Sequence, residues 1–291
     1  MSEMTDMRSG SVKLLEEVFP EPAISPGPAR WRTAVLRDVR ELIQYWPVIS
    51  NMVIQDLRLK YHRSILGFFW TLLNPILMMT TLAVVFSQIF RLDIKNYAVF
   101  LFSGMVPFNF LTAALTECSL SIVINEGLIR RIYLPKLIFP LVRVLVNLVI
   151  LVLSLVALFV LLKPMGASFS RPMVLLPVVV LLWALFGLGL GLIVATLNTF
   201  YRDCSHLMTV FLQIWYFSTP VLYEASMFGE RSWIFWLNPA FPFIRLFQAI
   251  IREGLWPDLI TLSAAVAIAA LSLGIGYAIF KTHEDKLVFR L

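Results

Sequence analysis

The stretch Pro172–Tyr201, PMVLLPVVVLLWALFGLGLGLIVATLNTFY, contains no Asp, Glu, Lys or Arg. A helix crossing a bilayer needs about 20 mostly apolar residues, and this run exceeds that length. A barrel strand crosses in about ten residues and alternates apolar with polar side chains. The run is too long and too continuous for that, so it predicts a membrane helix. Working outward, Ser64–Phe90, Asn96–Thr116, Cys204–Tyr223 and Leu259–Phe280 also lack all four charged types, and Leu137–Leu162 carries only Arg143. Six spans are expected. Composition agrees: the 291 residues are 59% hydrophobic and only 14% charged, with a mean hydropathy of +0.82, against about 25% charge in soluble domains. About sixty residues precede the first run, which does not suit a cleavable signal peptide.

Six spans put both termini on one side, and the distribution of Lys and Arg says which. The segments Arg30–Arg63, Asn125–Lys136, Asn198–His206 and Lys281–Leu291 hold fourteen basic residues, whereas Arg91–Asn96, Lys163–Arg171 and Tyr223–Pro257 hold seven. Both termini are expected in the cytoplasm. The expected organisation is a flexible tail over 1–34, an amphipathic interfacial helix region over 35–63, the membrane domain over 64–280 and a short tail over 281–291.

The tail contains Pro20, Pro22, Pro26 and Pro28 and reads as a segment without a fold of its own. In the next region Leu42, Trp46, Ile49, Val53 and Leu57 recur at helical spacing, with Gln44, Gln55 and Asp56 off that stripe. Pro47 suits the first turn of a helix, so a break or start is expected near Trp46. Such a helix lies along the inner membrane surface; the alternative is a soluble helix packed on another protein. Arg58, Lys60 and Arg63 then face anionic headgroups, and Phe68, Phe69 and Trp70, just after Gly67, begin the descent into lipid.

Between the fifth and sixth spans, Ser232–Ile244 is apolar but too short to cross, with Asn238-Pro239 and Pro242 as breaks. A re-entrant external hairpin of two short helices satisfies its backbone where a lipid-exposed loop would not. Glu117 and Arg143 interrupt apolar runs at a similar depth of roughly 10 Å on consecutive helices. Leaving each unpaired incurs two separate desolvation costs, so an ion pair between them is expected; independent snorkelling is the alternative.

No G-x-x-x-x-G-K-[ST] phosphate loop occurs, and no catalytic triad or metal-ligand spacing is visible among His62, His206, His283, Cys118 and Cys204. The chain is therefore not expected to be an enzyme, and uphill transport would need energy from a partner. The segment NEGLIRRIYLPK, Asn125–Lys136, is a short helical candidate for that contact.

Three motifs in order then become informative: QDLRLKYHRSILGFFWTLLNPIL at Gln55–Leu77, NTFYRD at Asn198–Asp203, and TPVLYEASM at Thr219–Met227 followed by LNP at Leu237–Pro239. From about Val35 onward the chain resembles the type-2 ABC exporter permeases of lipid-linked polysaccharides, the O-antigen, capsule and teichoic acid group. The resemblance implies an inner-membrane homodimer with two ATPase subunits that bind ATP and Mg, this chain holding no cofactor. It places Glu126, Leu128, Ile129, Arg130, Arg131 and Tyr133 against the ATPase, and Trp233, Trp236, Asn238 and Pro239 at an external gate. It also gives Phe68, Phe69 and Trp70 a second role along a glycan path. The alternatives are a permease for a small amphipathic drug or lipid, and a membrane scaffold without transport. The stretch before Val35 is longer and richer in proline than the family pattern, which leaves room for a further contact.

Overall fold

The structure is a computed structural model that describes residues 28–61, 69–90, 93–162 and 170–290. Arg63, Gly67, Phe68 and most of the expected tail lie outside the described residues, as do the side chains of Phe69 and Trp70. Among the described residues all regular structure is helical. The chain divides into two units, Met1–Tyr45 and Trp46–Leu291.

The described part of the first unit is helix α1, Pro28–Gln44, which begins inside the stretch expected to lack structure. The second unit starts with α2, Trp46–Tyr61. Pro47 falls in its first turn, where a missing N–H costs no helical hydrogen bond, so the chain breaks where the sequence indicates. There follow α3 (Phe69–Phe90), α4 (Ile94–Ile124), α5 (Glu126–Ile129), α6 (Ile138–Leu162), α7 (Leu176–Phe200), α8 (Cys204–Ser218), α9 (Phe241–Gln248) and α10 (Leu259–Arg290). A 3-10 turn, Arg171–Leu175, leads into α7, a 3-10 stretch covers Ala225–Leu237, and a π turn, Ala249–Glu253, extends α9.

Among the described residues, four helices are long and apolar enough to cross a membrane: Ile94–Ile124, Ile138–Phe159, Arg171–Phe200 and Leu259–Leu287. Helix α3 has 22 residues. Helix α8 has 15, about 22 Å at 1.5 Å per residue, short of a hydrocarbon core of about 30 Å. The expected fifth span ran to Tyr223, but the helix ends at Ser218 because Pro220 cannot donate to the ladder.

Helix α4 is the central element, packing on α3, α6, α7, α8 and α9. Asp93 caps it by accepting from the Asn96 amide at 3.2 Å, which satisfies one of the otherwise free N–H groups of the first turn. Lipid is as apolar as the core, so helix association there rests on close packing and hydrogen bonds more than on water exclusion. An aromatic cluster supplies part of it. Trp183 and Phe186 of α7 meet Phe243 of α9, each with ring centroids 5.0 Å away, and the Trp183 indole N–H donates to the Pro107 carbonyl at 2.8 Å. Such aromatic pairs contribute about 0.5–1.5 kcal/mol each beyond area burial.

The most extensive helix pair is α7 with α10. Gly189 and Gly276 face each other so closely that a Cβ on Gly276 would lie 2.0 Å from the Gly189 carbonyl oxygen. The Ser272 hydroxyl donates to the Phe186 carbonyl at 3.0 Å in the same seam. Ser272 and Gly276 are four residues apart, the small-xxx-small spacing that lets backbones approach.

The segment expected as an external hairpin is asymmetric. Its first arm, Ala225–Leu237, is broken at Gly229, whose φ of 53° suits glycine. It carries Trp233 and Trp236 largely exposed. Its second arm, α9 with the π turn, is almost wholly buried and stops at Gly254 in the left-handed region, φ 63°. The break falls at Asn238–Pro239 as the sequence indicates. Pro242 does not break the chain; it occupies the first turn of α9, the one helical position that tolerates it.

Candidate functional site

Two turns and one charged cluster dominate one end of the helix bundle. The first turn follows α4. Asn125 ends that helix and opens α5, and its side-chain amide donates to the Ser121 carbonyl at 2.7 Å. Helix α5 is a single turn held by an Arg130–Glu126 ion pair of 2.8 Å at i, i+4 spacing. Arg130 and Arg131 are exposed, and Tyr133 is 80% exposed. Ile124 and Ile132 are also exposed, 65% and 55%. Ile132 falls within the segment named from sequence but was not singled out there, and Ile124 lies outside it. Their signal was available, because β-branched apolar residues flanking a short charged helix outside a span have no core to enter.

The second turn is Asn198–Asp203. The buried Asn198 side chain accepts from the Ser205 amide at 3.0 Å, the Tyr201 amide donates to Leu197, and the Cys204 amide to Tyr201. The side chain of Asn198 thus folds the end of α7 onto the start of α8. A tie between α10 and the α5 turn comes from Lys136, whose ammonium donates to the Glu284 carbonyl at 2.9 Å.

The charged cluster lies at the root of the α5 turn and corrects one expectation. Glu117 and Arg143 do not pair with each other. Lys60 pairs with Glu117 at 2.7 Å, and Arg143 pairs with Asp56 at 2.5 Å. The physical reason is α2, which packs on α6 and carries Asp56 and Lys60 four residues apart, on one helical face. That face brings one charge of each sign to the helices that need them. Asn147, 2% exposed and one turn after Arg143, joins the two pairs by donating to Glu117 Oε2 at 2.8 Å and to the Arg143 carbonyl at 2.9 Å. Meanwhile Trp46, Ile54 and Leu59 of α2 are exposed, an arrangement that suits a helix with protein on one side and lipid on another. Arg58 is exposed in its last turn.

At the opposite end, Asn238 gathers the 3-10 stretch onto the end of α8. Its Oδ1 accepts from the Trp215 indole at 2.7 Å and the Ala240 amide at 3.0 Å, and its Nδ2 donates to the Thr219 hydroxyl at 2.8 Å. Pro239 is exposed beside it. Gln248 of α9 donates to the Pro220 carbonyl at 3.0 Å. Arg252 pairs with Glu224 at 2.5 Å and stands 4.9 Å from the Phe100 ring centroid, while Arg245 forms a bidentate pair with Glu253.

Between these ends runs a groove of about 590 Å³ bounded by α3, α4 and α8. Apolar walls come from Met78, Leu82, Phe86 and Leu212, but Asn109, Thr112, Thr209, Gln213 and Tyr216 also face it. The buried Tyr216 hydroxyl has no hydrogen-bond partner among the described residues. Polar side chains within membrane helices are costly when unpartnered, and they mark surfaces that meet water or a polar ligand. No group of three or more metal-ligating residues occurs among the described residues.

The sequence was then compared with characterised proteins. The chain is 33% identical over 255 residues to the O-antigen export system permease protein RfbA of Myxococcus xanthus, covering 87% of this chain and 98% of that one. It is 28% identical over 209 residues to the protein of the same name from Klebsiella pneumoniae, covering 71% and 80%. The polysialic acid transport protein KpsM of Escherichia coli is 22% identical over 247 residues, covering 82% and 95%. Residues 48–251, which run from α2 through the π turn and include the charged cluster and the groove, match the ABC-2 type transporter family, and this chain belongs to that family.

Proposed function

We propose that the chain is the membrane subunit of an ATP-driven exporter of lipid-linked polysaccharide. In this reading it has six spans, α3 and α8 completing the four longer helices, and both termini face the cytoplasm. It works as a homodimer with two copies of a separate ATPase, which binds ATP and Mg. The relatives' names refer to O-antigen and polysialic acid, both polysaccharides, and that supports the substrate class.

The observation that carries the reading is the groove beside α8. A sugar chain needs hydrogen-bonding groups inside the membrane, and Asn109, Thr112, Thr209 and Gln213 supply them at intervals along two helices. Helix α5 is the contact for the ATPase: Arg130 and Arg131 offer polar groups, and Ile124, Ile132 and Tyr133 an apolar surface. Force applied there reaches α4 and α6 directly, because α5 lies between them. The external arm with Trp233, Trp236, Asn238 and Pro239 closes the outer end, and the sequence resemblance assigns Phe68, Phe69 and Trp70 to the glycan path.

The test is reconstitution with the partner ATPase in vesicles. Asn109→Leu with Gln213→Leu should abolish polysaccharide export while leaving the assembly and its basal ATP hydrolysis intact. Unchanged export would refute the path, and stimulation of the ATPase by hydrophobic drugs but not by glycolipid would move the assignment to small amphipathic compounds.

A further inference from the structure

A second cleft, of about 510 Å³, lies away from the groove, between the end of α7 and the last turns of α10. His283, Lys286 and Arg290 line it from α10, where spacings of three and four put them on one face. Phe200 and Tyr201 line the other wall, and no acidic residue does among the described residues. Of the acids nearest in sequence, Glu284 is taken by Lys281 at 2.6 Å, and neither it nor Asp285 lines the cleft. Neither Lys286 nor Arg290 is in an ion pair among the described residues.

The side chains are set for a ligand. His283 Nδ1 faces the Ile279 carbonyl at 2.9 Å and therefore carries the proton. Its ring meets Phe200 edge to face, centroids 5.6 Å apart, so it forms a fixed wall. Tyr201 is 68% exposed. The level also matters. Helix α10 has 32 residues, about 48 Å, against a hydrocarbon core of about 30 Å. Counted from Leu259, the core is crossed near Ala278, and His283 to Arg290 stand among the headgroups. Leu197 and Ile279 continue the cleft toward the core with apolar surface.

We propose that this cleft binds the phosphate of an anionic lipid headgroup, Lys286 and Arg290 supplying the charge, the Tyr201 hydroxyl a further donor, and Leu197 with Ile279 the bed for an acyl chain. Guanidinium forks match phosphate geometry, and paired cations at headgroup level select anionic over zwitterionic lipid. The site is independent of the transported substrate.

The experiment is native mass spectrometry of the full-length chain in mild detergent, titrated with phosphatidylglycerol or phosphatidylcholine. Wild type should retain phosphatidylglycerol preferentially. Lys286→Gln with Arg290→Gln should weaken that retention about thirtyfold, whereas Lys286→Arg and the distant Arg231→Gln should leave it unchanged. If inorganic phosphate displaces the lipid from wild type and from Arg231→Gln alike, the ligand is a soluble phosphate and the headgroup assignment falls. Equal retention of both lipids, or retention undiminished in the double variant, overturns the site. Lower thermal stability in the double variant with lipid retention unchanged would mean that the cations only offset the carbonyls ending α7.

Discussion

Two glycines on one helix should respond oppositely to the same substitution. At Gly276 a Cβ would stand 2.0 Å from the Gly189 carbonyl oxygen, whereas carbon and oxygen ordinarily approach to about 3.3 Å. Alanine therefore forces α7 and α10 apart by about 1.3 Å, and neither opposing atom is a flexible side-chain end. Overpacking of that kind costs about 1–3 kcal/mol. The Ser272–Phe186 hydrogen bond, 3.0 Å long, lies one turn away and is stretched by the same displacement, adding about 0.5–1.5 kcal/mol. The total is about 1.5–4.5 kcal/mol. At Gly274 a Cβ meets nothing within 4 Å, so alanine there removes the helical cost of glycine, worth up to about 1 kcal/mol. The assay is thermal unfolding of the purified chain in one detergent, read as the midpoint for loss of monodisperse protein. Gly276→Ala should lower the midpoint by roughly 5–10 °C, and Gly274→Ala should raise it slightly. Two shifts of the same sign, or a Gly276→Ala protein as stable as wild type, would refute the packing argument.

The charged cluster predicts which exchange succeeds. Asp56→Arg with Arg143→Asp should recover most of the stability lost by either single change, about 1.5–3 kcal/mol, whereas Glu117→Arg with Arg143→Glu should recover none. Lys60→Gln should cost less, near 1 kcal/mol, because its side chain is 37% exposed and solvent screens it. At the start of α10, Asp258 accepts from the amide and hydroxyl of Thr261, both at 2.9 Å. Desolvation, the largest single influence, raises its pKa, but the Thr261 bonds, its own backbone and Arg245 together hold it below the ordinary carboxylate value. The stabilisation is present above about pH 4 and is lost as pH falls through the lowered pKa. Asp258→Asn should keep the cap and remove this pH dependence, and Asp258→Ala should cost about 1 kcal/mol at neutral pH; thermal scans between neutral and acid pH measure both.

Four of the six expected spans were legible because ionised groups are expelled from lipid whatever the tertiary arrangement, and so was the break at Tyr45, which Pro47 dictates locally. Glu117 and Arg143 were legible as groups that need partners. The partners were not, because Asp56 and Lys60 lie on α2, whose rotation about its axis follows from how it packs on α6. Sequence reading assigned that helix by its apolar stripe and placed Asp56 off it. The seam between Gly189 and Gly276 was hidden for a similar reason: the register between α7 and α10 is a property of the pair. Pro242 misled because proline ends a helix or starts one, and only the backbone around it says which.

The seam also divides the molecule by stiffness. Where two backbones touch there is no side-chain layer to repack, so α7 and α10 can slide or separate only by giving up the whole contact. Helix α8, in contrast, fully buries only Leu212 and borders cavities on two sides. Sparse burial lowers the free energy of local displacement. One pair of helices is a chassis, and the short one beside it is the part with room to travel.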